Sequence, residues 1–127
     1  MKDHENPMSF EEEFIVGGKR ITYENVMELC QGCPSVGNLI INDELVSPKY
    51  RFGGPLIRQG NYIHVPVLIK RFRSSGFKLA RINLETLEFR LFGKIVSLIF
   101  LDRIEDGTIH FFEDLDRVKK NSYEVDN

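Results

Sequence analysis

The sequence lacks the features by which membrane-spanning and secreted chains are recognised. Its longest apolar stretch, Ile95 to Leu101, has seven residues including Ser97, whereas a spanning helix needs about 20. The opening residues, Met1 to Ser9, are polar and charged and contain no apolar run like that of a signal peptide. We therefore expect a cytoplasmic protein with no membrane partner.

Cysteine is also scarce. Cys30 and Cys33 are the only two, and they lie too close together for a disulfide framework, which agrees with a reducing compartment. Their CxxC spacing also occurs in zinc knuckles and redox sites. However, no second CxxC or HxxxH completes a zinc site, and both cysteines fall at the wrong end of the predicted helix for redox activation. We expect Cys30 in the core, Cys33 in a loop, and no metal or cofactor.

Motifs of catalysis are absent as well. The glycine pairs Gly17-Gly18 and Gly53-Gly54 have neither GxGxxG nor Walker spacing, and no serine stands in a GxSxG frame. Acidic residues cluster in predicted turns and near the termini, where solvation is expected, rather than in a cleft that would pair them as acid and base. We therefore identify no catalytic residue and do not expect an enzyme.

The chain does have the composition of one folded domain. It has 127 residues, 42% hydrophobic and 28% charged, which suits a single packed core over residues 1–127. The segment that begins at Arg117 loses the apolar pattern. We expect residues 1–8 and 118–127 to be frayed.

One helix is predicted near the N-terminus. Thr22 has the properties of an N-cap, and Ile21 and Val26 are spaced to form a hydrophobic staple. Val26, Met27, Leu29 and Cys30 make an apolar stripe, which Gly32 and Pro34 end. Before this helix, Gly17-Gly18 favours a tight hairpin turn.

From Gly37 onward the pattern indicates strands separated by short turns. Asp106-Gly107, between two apolar runs, is typical of a type I′ hairpin. The fold class is therefore mainly β (α+β): an antiparallel meander that forms a barrel or sandwich, with the helix covering one end or face. The candidate strands are 38–42, 45–52, 55–59, 61–71, 77–84, 87–91, 95–104 and 108–113.

A partial internal repeat is present. The segment from Ile57 to His64 is similar to that from Ile104 to His110, with an offset of 46 between the two histidines. A period of 40 to 50 residues with about four strands resembles a propeller blade, although the chain is too short to close a propeller. Two unrelated hairpins with glycine turns would also look alike.

The candidate strand 61–71 is apolar on both faces. Pro66 cannot donate a hydrogen bond to a neighbouring strand, so we expect a sheet edge or a bulge there. An apolar edge would allow another chain to dock, and the strand around Pro66 is a candidate oligomer contact.

Charge is strongly segregated along the chain. Residues 1–45 have a net charge of −6, residues 46–100 of +8 and residues 101–127 of −4. Three explanations stay open: pairing with the acidic segments inside the fold, an acidic protein partner, or nucleic acid. The pI of about 5.9 is low for a dedicated nucleic-acid-binding protein. The candidate partner-binding residues are Lys70, Arg71, Phe72, Arg73, Lys78 and Arg81.

In size, acidity and lack of a catalytic grouping, the chain resembles the small bacterial immunity proteins that neutralise secreted toxins. This resemblance implies a non-catalytic, inhibitory protein-binding module. One alternative is a nucleic-acid-binding accessory module that uses the basic loop at 70–81. Another is a small-ligand or enzymatic barrel in which His64 and His110 converge on a ligand.

Overall fold

The structure is a computed structural model that describes residues 5–31, 33–70 and 75–124. Within these ranges the regular structure is entirely β, and no helix is long and apolar enough to cross a membrane. The strands are β1 (Glu13–Val16), β2 (Lys19–Glu28), β3 (Ser35–Ile41), β4 (Glu44–Leu45), β5 (Ile57–Gln59), β6 (Tyr62–Lys70), β7 (Ser75–Asn83), β8 (Phe89–Val96), β9 (Phe100–Glu105), β10 (Thr108–Phe112) and β11 (Lys120–Glu124).

The strands form three antiparallel sheets, each a meander of consecutive strands. The first sheet contains β1 to β4, the middle sheet β5 to β8, and the third sheet β9 to β11. The prediction of a mainly β antiparallel fold is thus confirmed, and no sheet closes into a barrel. Of the candidate strands, 45–52 is mostly loop. Residues 120–124, expected to be frayed, form β11.

The predicted helix is wrong, because residues 22–28 belong to β2. Ile21 and Tyr23 alternate into the core as a strand requires. Asn25 then has a φ of 55°, and the pairing of β2 with β3 shifts register between Glu24 and Met27. This bulge breaks the two-residue period. It leaves apolar residues at spacings that imitate the stripe of a helix.

The middle sheet has a hydrophobic cluster on each face, which explains why β6 is apolar on both sides. On one face, Ile63 and Val65 pack with Ile21 and Leu39 of the first sheet. On the other face, Leu68 and Leu79 pack with Ile109 and Phe111 of the third sheet. The molecule is therefore a stack of three β layers.

Pro66 lies in the interior of the middle sheet, so the predicted sheet edge is wrong, whereas the oligomer contact around Pro66 stays a prediction. β6 pairs with β7 along its whole length. On its other side, the Pro66 carbonyl accepts a hydrogen bond from Gly53 N at 2.8 Å. The Pro66 nitrogen faces that same side. On that side, the neighbouring segment of the same chain is irregular, because it lies between the bridge from Phe52 to Val67 and strand β5. The missing N–H thus falls at a break in the hydrogen-bond ladder, and β6 pairs with β7 there without a bulge.

The similar segments at 57–64 and 104–110 occupy equivalent places in the fold. Each is the first hairpin of its sheet, and each has a two-residue turn, closed by the pairs Gln59↔Tyr62 and Glu105↔Thr108. The first sheet opens on a third such hairpin, closed by Val16↔Lys19. Its turn is Gly17-Gly18, at φ angles of 56° and 77°. This confirms the predicted glycine turn and adds a third copy of the hairpin.

Candidate binding surface

The three charge blocks of the sequence coincide with the three sheets. The acidic blocks contain the first and third sheets, and the basic block contains the whole middle sheet with its preceding connection. Because both faces of the middle sheet are largely covered, its described bases lie at or near strand ends, on the edge strands and in the preceding connection, except for the half-buried Lys78 in the middle of β7. The basic charge is therefore concentrated around the rim of the central layer.

Pairing among the described residues does not account for seven of the ten bases of this block. Within the part of the chain that the structure describes, every salt bridge takes its base from Lys19, Arg20, Arg103 or Lys119. All four lie outside the basic block. The bases of that block with no carboxylate in salt-bridge distance among the described residues are Lys49, Arg51, Arg58, Lys70, Lys78, Arg90 and Lys94.

One cluster of bases, which we call the Lys70 cluster, comprises Lys49, Tyr50, Arg51 and Lys70. These residues surround a cleft of about 350 Å³ that Leu68 and Ile69 also line. Residues 49–51 belong to the connection between β4 and β5. This connection is held against β6 by a hydrogen bond of 2.9 Å from Leu68 N to Arg51 O. The Lys49 ammonium lies 5.2 Å from the Tyr50 ring centre. Three cations and an aromatic ring thus border this cleft.

A second cluster, the Arg81 cluster, lies towards the other end of the middle sheet. The Arg81 guanidinium is 4.6 Å from the Tyr62 ring centre and 5.5 Å from that of Phe92. Arg90 lies 5.1 Å from the same Phe92 ring. Arg81 and Arg90 are direct partners across β7 and β8. They contribute, with Tyr62, to a cleft of about 360 Å³.

The predicted partner-binding residues that the structure describes, Lys70, Lys78 and Arg81, do not form one surface. Arg81 pairs with His64 of β6. His64 and Lys70 are six residues apart on that strand, so Arg81 and Lys70 are separated by about 20 Å along the sheet. Lys78 is half-buried. It pairs with Val67, whereas Arg81 pairs with His64, and side chains alternate between faces along a strand, so Lys78 and Arg81 lie on opposite faces of the sheet. Arg71, Phe72 and Arg73 lie outside the described residues.

The sequence did not single out Lys49, Tyr50 and Arg51, which join Lys70 in the first cluster. It also did not single out Tyr62, Arg90 and Phe92, which join Arg81 in the second cluster. The bases among them belong to the basic block, which was the available signal. Their grouping depends on strand register and on the path of the connection before β5, neither of which a single sequence reveals.

The two histidines do not converge. His64 is fully buried on β6, its Nε2 lies 3.1 Å from Gln59 Oε1, and its Nδ1 has no hydrogen-bond partner in the described structure. Burial, assisted by the positive charge of Arg81, lowers the pKa of His64 to about 4. His110 alternates with the inward-facing Ile109 and Phe111, so it lies on the outer face of the third sheet. The rings therefore belong to different surfaces.

The cysteines also differ from expectation. Cys30 is exposed, not in the core, and the structure joins it to Cys33 by a disulfide, with the two Cα atoms 4.9 Å apart. Among the described residues, no group of three or more His, Cys, Asp or Glu side chains is arranged to hold a metal ion.

No protein-family model, curated protein or solved structure matches the chain. Its function must therefore be inferred from the charge and geometry of its own surface.

Proposed function

We propose that the chain is a non-catalytic, cytoplasmic protein-binding module whose partner carries an acidic surface. The observation that supports this most directly is that seven bases of the middle sheet and its preceding connection have no carboxylate in salt-bridge distance among the described residues, although the net charge is −2. A bacterial inhibitory protein of the immunity type would have this character.

Electrostatics explains why such a surface suits association. Unpaired like charges repel one another and contribute little to folding, whereas they accelerate the encounter with an oppositely charged protein. The Lys70 cluster also places the Tyr50 ring and Arg51 beside two further cations in one cleft, and tyrosine and arginine are enriched at protein interfaces. We therefore assign the main contact to this cluster.

Nucleic acid is the second candidate, favoured by the arginines that lie over the rings of Tyr62 and Phe92. However, a long polyanion would run past the acidic first and third sheets on either side. An acidic protein patch of limited size avoids that repulsion. The small-ligand barrel that would use His64 and His110 has less support, because no cleft described here is lined by both.

The test compares two triple variants with the same change in charge. The first, Lys49→Ser, Arg51→Gln and Lys70→Ser, alters the Lys70 cluster. The matched control, Arg20→Ser, Arg103→Ser and Lys119→Ser, alters bases that already form salt bridges on the outer sheets. Each variant is used to capture partners from a nuclease-treated lysate of the native source. The captured protein is then purified, and the rate at which it associates with each variant is measured as a function of salt concentration.

We expect an acidic partner whose association rate at low salt falls at least about ten-fold with the first variant and much less with the control, because steering depends on local charge. Equal losses with the two variants would contradict the assignment. Loss of all capture after nuclease treatment would favour the nucleic-acid alternative instead.

A further inference from the structure

We infer that the cleft of the Arg81 cluster binds the phosphate group of a small phosphate monoester that also carries hydrogen-bond donors, such as a nucleotide or a sugar phosphate. This site lies apart from the surface proposed above for the protein partner, and it adds a ligand to the molecule's activities.

The first argument is the placement of two guanidinium groups side by side. Arg81 and Arg90 are directly opposite each other on neighbouring strands, where side chains begin about 5 Å apart and like charges repel. Arg90 forms no salt bridge within the described residues. A doubly charged anion beside the two guanidinium groups would relieve this repulsion, and a phosphate monoester does so better than a singly charged carboxylate.

The second argument is the position of these groups against aromatic rings. Each guanidinium lies over an aromatic ring: Arg81 over Tyr62 and Phe92, and Arg90 over Phe92. A ring at this distance attracts the guanidinium cation and so restrains its position. Edge N–H groups are the donors that bind phosphate oxygens in pairs. The rings thus preorganise the cations for an oxyanion.

The third argument concerns the remaining wall of the cleft, where Asn83, Glu88 and Phe89 join the lining. The Glu88 carboxylate repels a bare anion but accepts hydrogen bonds from hydroxyl or amino groups. A ligand that suits both walls therefore carries a phosphate at one end and donors at the other. The cleft volume of about 360 Å³ is within the range of small-molecule sites.

Isothermal titration calorimetry of the full chain with four probes tests this inference: adenosine 5′-monophosphate, ribose 5-phosphate, inorganic phosphate and adenosine. We expect both monoesters to bind, inorganic phosphate more weakly, and adenosine not at all. Adenosine 5′-monophosphate binding well above ribose 5-phosphate would identify the nucleotide form, and equal binding the sugar-phosphate form. The inference is overturned if adenosine binds as well as its monophosphate, or if no monoester binds at 10 mM.

Two variants establish where binding occurs. Arg90→Gln alters an exposed side chain, and Arg81→Lys keeps the charge while removing the planar fork. We expect each to weaken monoester binding at least about ten-fold, since charge-assisted hydrogen bonds contribute on that scale. Circular dichroism and thermal melting check that both fold. The Lys70-cluster triple variant is the control and should leave monoester binding unchanged, so this site and the protein surface can fail independently. An equal loss in that control would show non-specific charge attraction and overturn the site.

Discussion

At the scale of single residues, two buried polar side chains in the middle of the molecule are satisfied to different degrees. The Tyr23 hydroxyl donates a hydrogen bond of 2.7 Å to the carbonyl of Gly53. His64 has a partner at Nε2 but none at Nδ1 among the described residues. Burial favours the uncharged form of each group, so it raises the pKa of Tyr23 and lowers that of His64.

The pKa of His64 predicts a loss of stability in mild acid. The folded-state pKa of about 4 lies below the ordinary value of 6.5, so the unfolded chain takes up a proton first as the pH falls. Stability is therefore complete above about pH 6.5 and is lost progressively towards pH 4. The contribution of His64 to the free energy of unfolding should fall by about 2 kcal/mol between pH 7 and pH 5. Urea denaturation at the two pH values measures it, with His64→Leu as the variant from which this component is absent. An identical pH dependence in both proteins would contradict the burial of His64.

The Tyr23 hydrogen bond predicts a smaller, pH-independent effect. Tyr23→Phe removes the donor and leaves the buried Gly53 carbonyl without it, which should lower the free energy of unfolding by about 1–2 kcal/mol. Tyr50→Phe is the control, because the Tyr50 hydroxyl has no hydrogen bond in the described structure. Chemical denaturation at pH 7 compares the two. Equal effects would mean that the Tyr23 hydroxyl contributes nothing specific.

At the scale of elements, the sequence predicts those parts of the fold that depend on local turn chemistry. The hairpins at Gly17-Gly18 and Asp106-Gly107 are confirmed, because each has residues suited to positive φ between two apolar runs. The helix prediction failed at β2, where the bulge at Asn25 changes the spacing of apolar residues. β11 was missed because its inward-facing side chains include only one large apolar residue, Tyr123.

The packing of β11 yields a prediction of its own. The Tyr123 ring lies 5.1 Å from that of Phe111 and covers Gly93. Tyr123→Ala should lower the free energy of unfolding by about 2–3 kcal/mol, since it removes both buried apolar area and an aromatic pair. Ser122→Ala, on the exposed side of the same strand, should change it by less than about 0.5 kcal/mol. Thermal or urea unfolding distinguishes them, and a neutral Tyr123→Ala would mean that β11 does not support the third layer.

At the scale of the whole molecule, the fold is a three-layer stack in which charge alternates by layer. The sequence contains the alternation as net charges of −6, +8 and −4. The sequence alone could not show that the three charge blocks coincide with the three sheets, nor which basic side chains lie close together. Lys49 and Lys70 are brought together by a connection that runs beside β6. Arg81 and Arg90 depend on a strand register that a bulge shifts. Such contacts are non-local, and local patterns carry little information about them.

The central claim is that the charges of the seven unpaired bases described above are available to a partner and form no ion pairs that hold the layers together. Arg51 does contact the first sheet, through a hydrogen bond of 3.4 Å from its Nη1 to the Asn25 carbonyl. The most direct test is urea unfolding at low ionic strength of the two triple variants. For Lys49→Ser, Arg51→Gln and Lys70→Ser, the account predicts a free energy of unfolding that stays within about 0.5 kcal/mol per site of the original or rises, because like charges are removed. For Arg20→Ser, Arg103→Ser and Lys119→Ser, it predicts a fall of about 0.2–1 kcal/mol for each salt bridge lost. A loss of more than about 1.5 kcal/mol in the first variant, beyond about 0.5 kcal/mol at each of its three sites, would show that these bases stabilise the fold, and it would contradict the account.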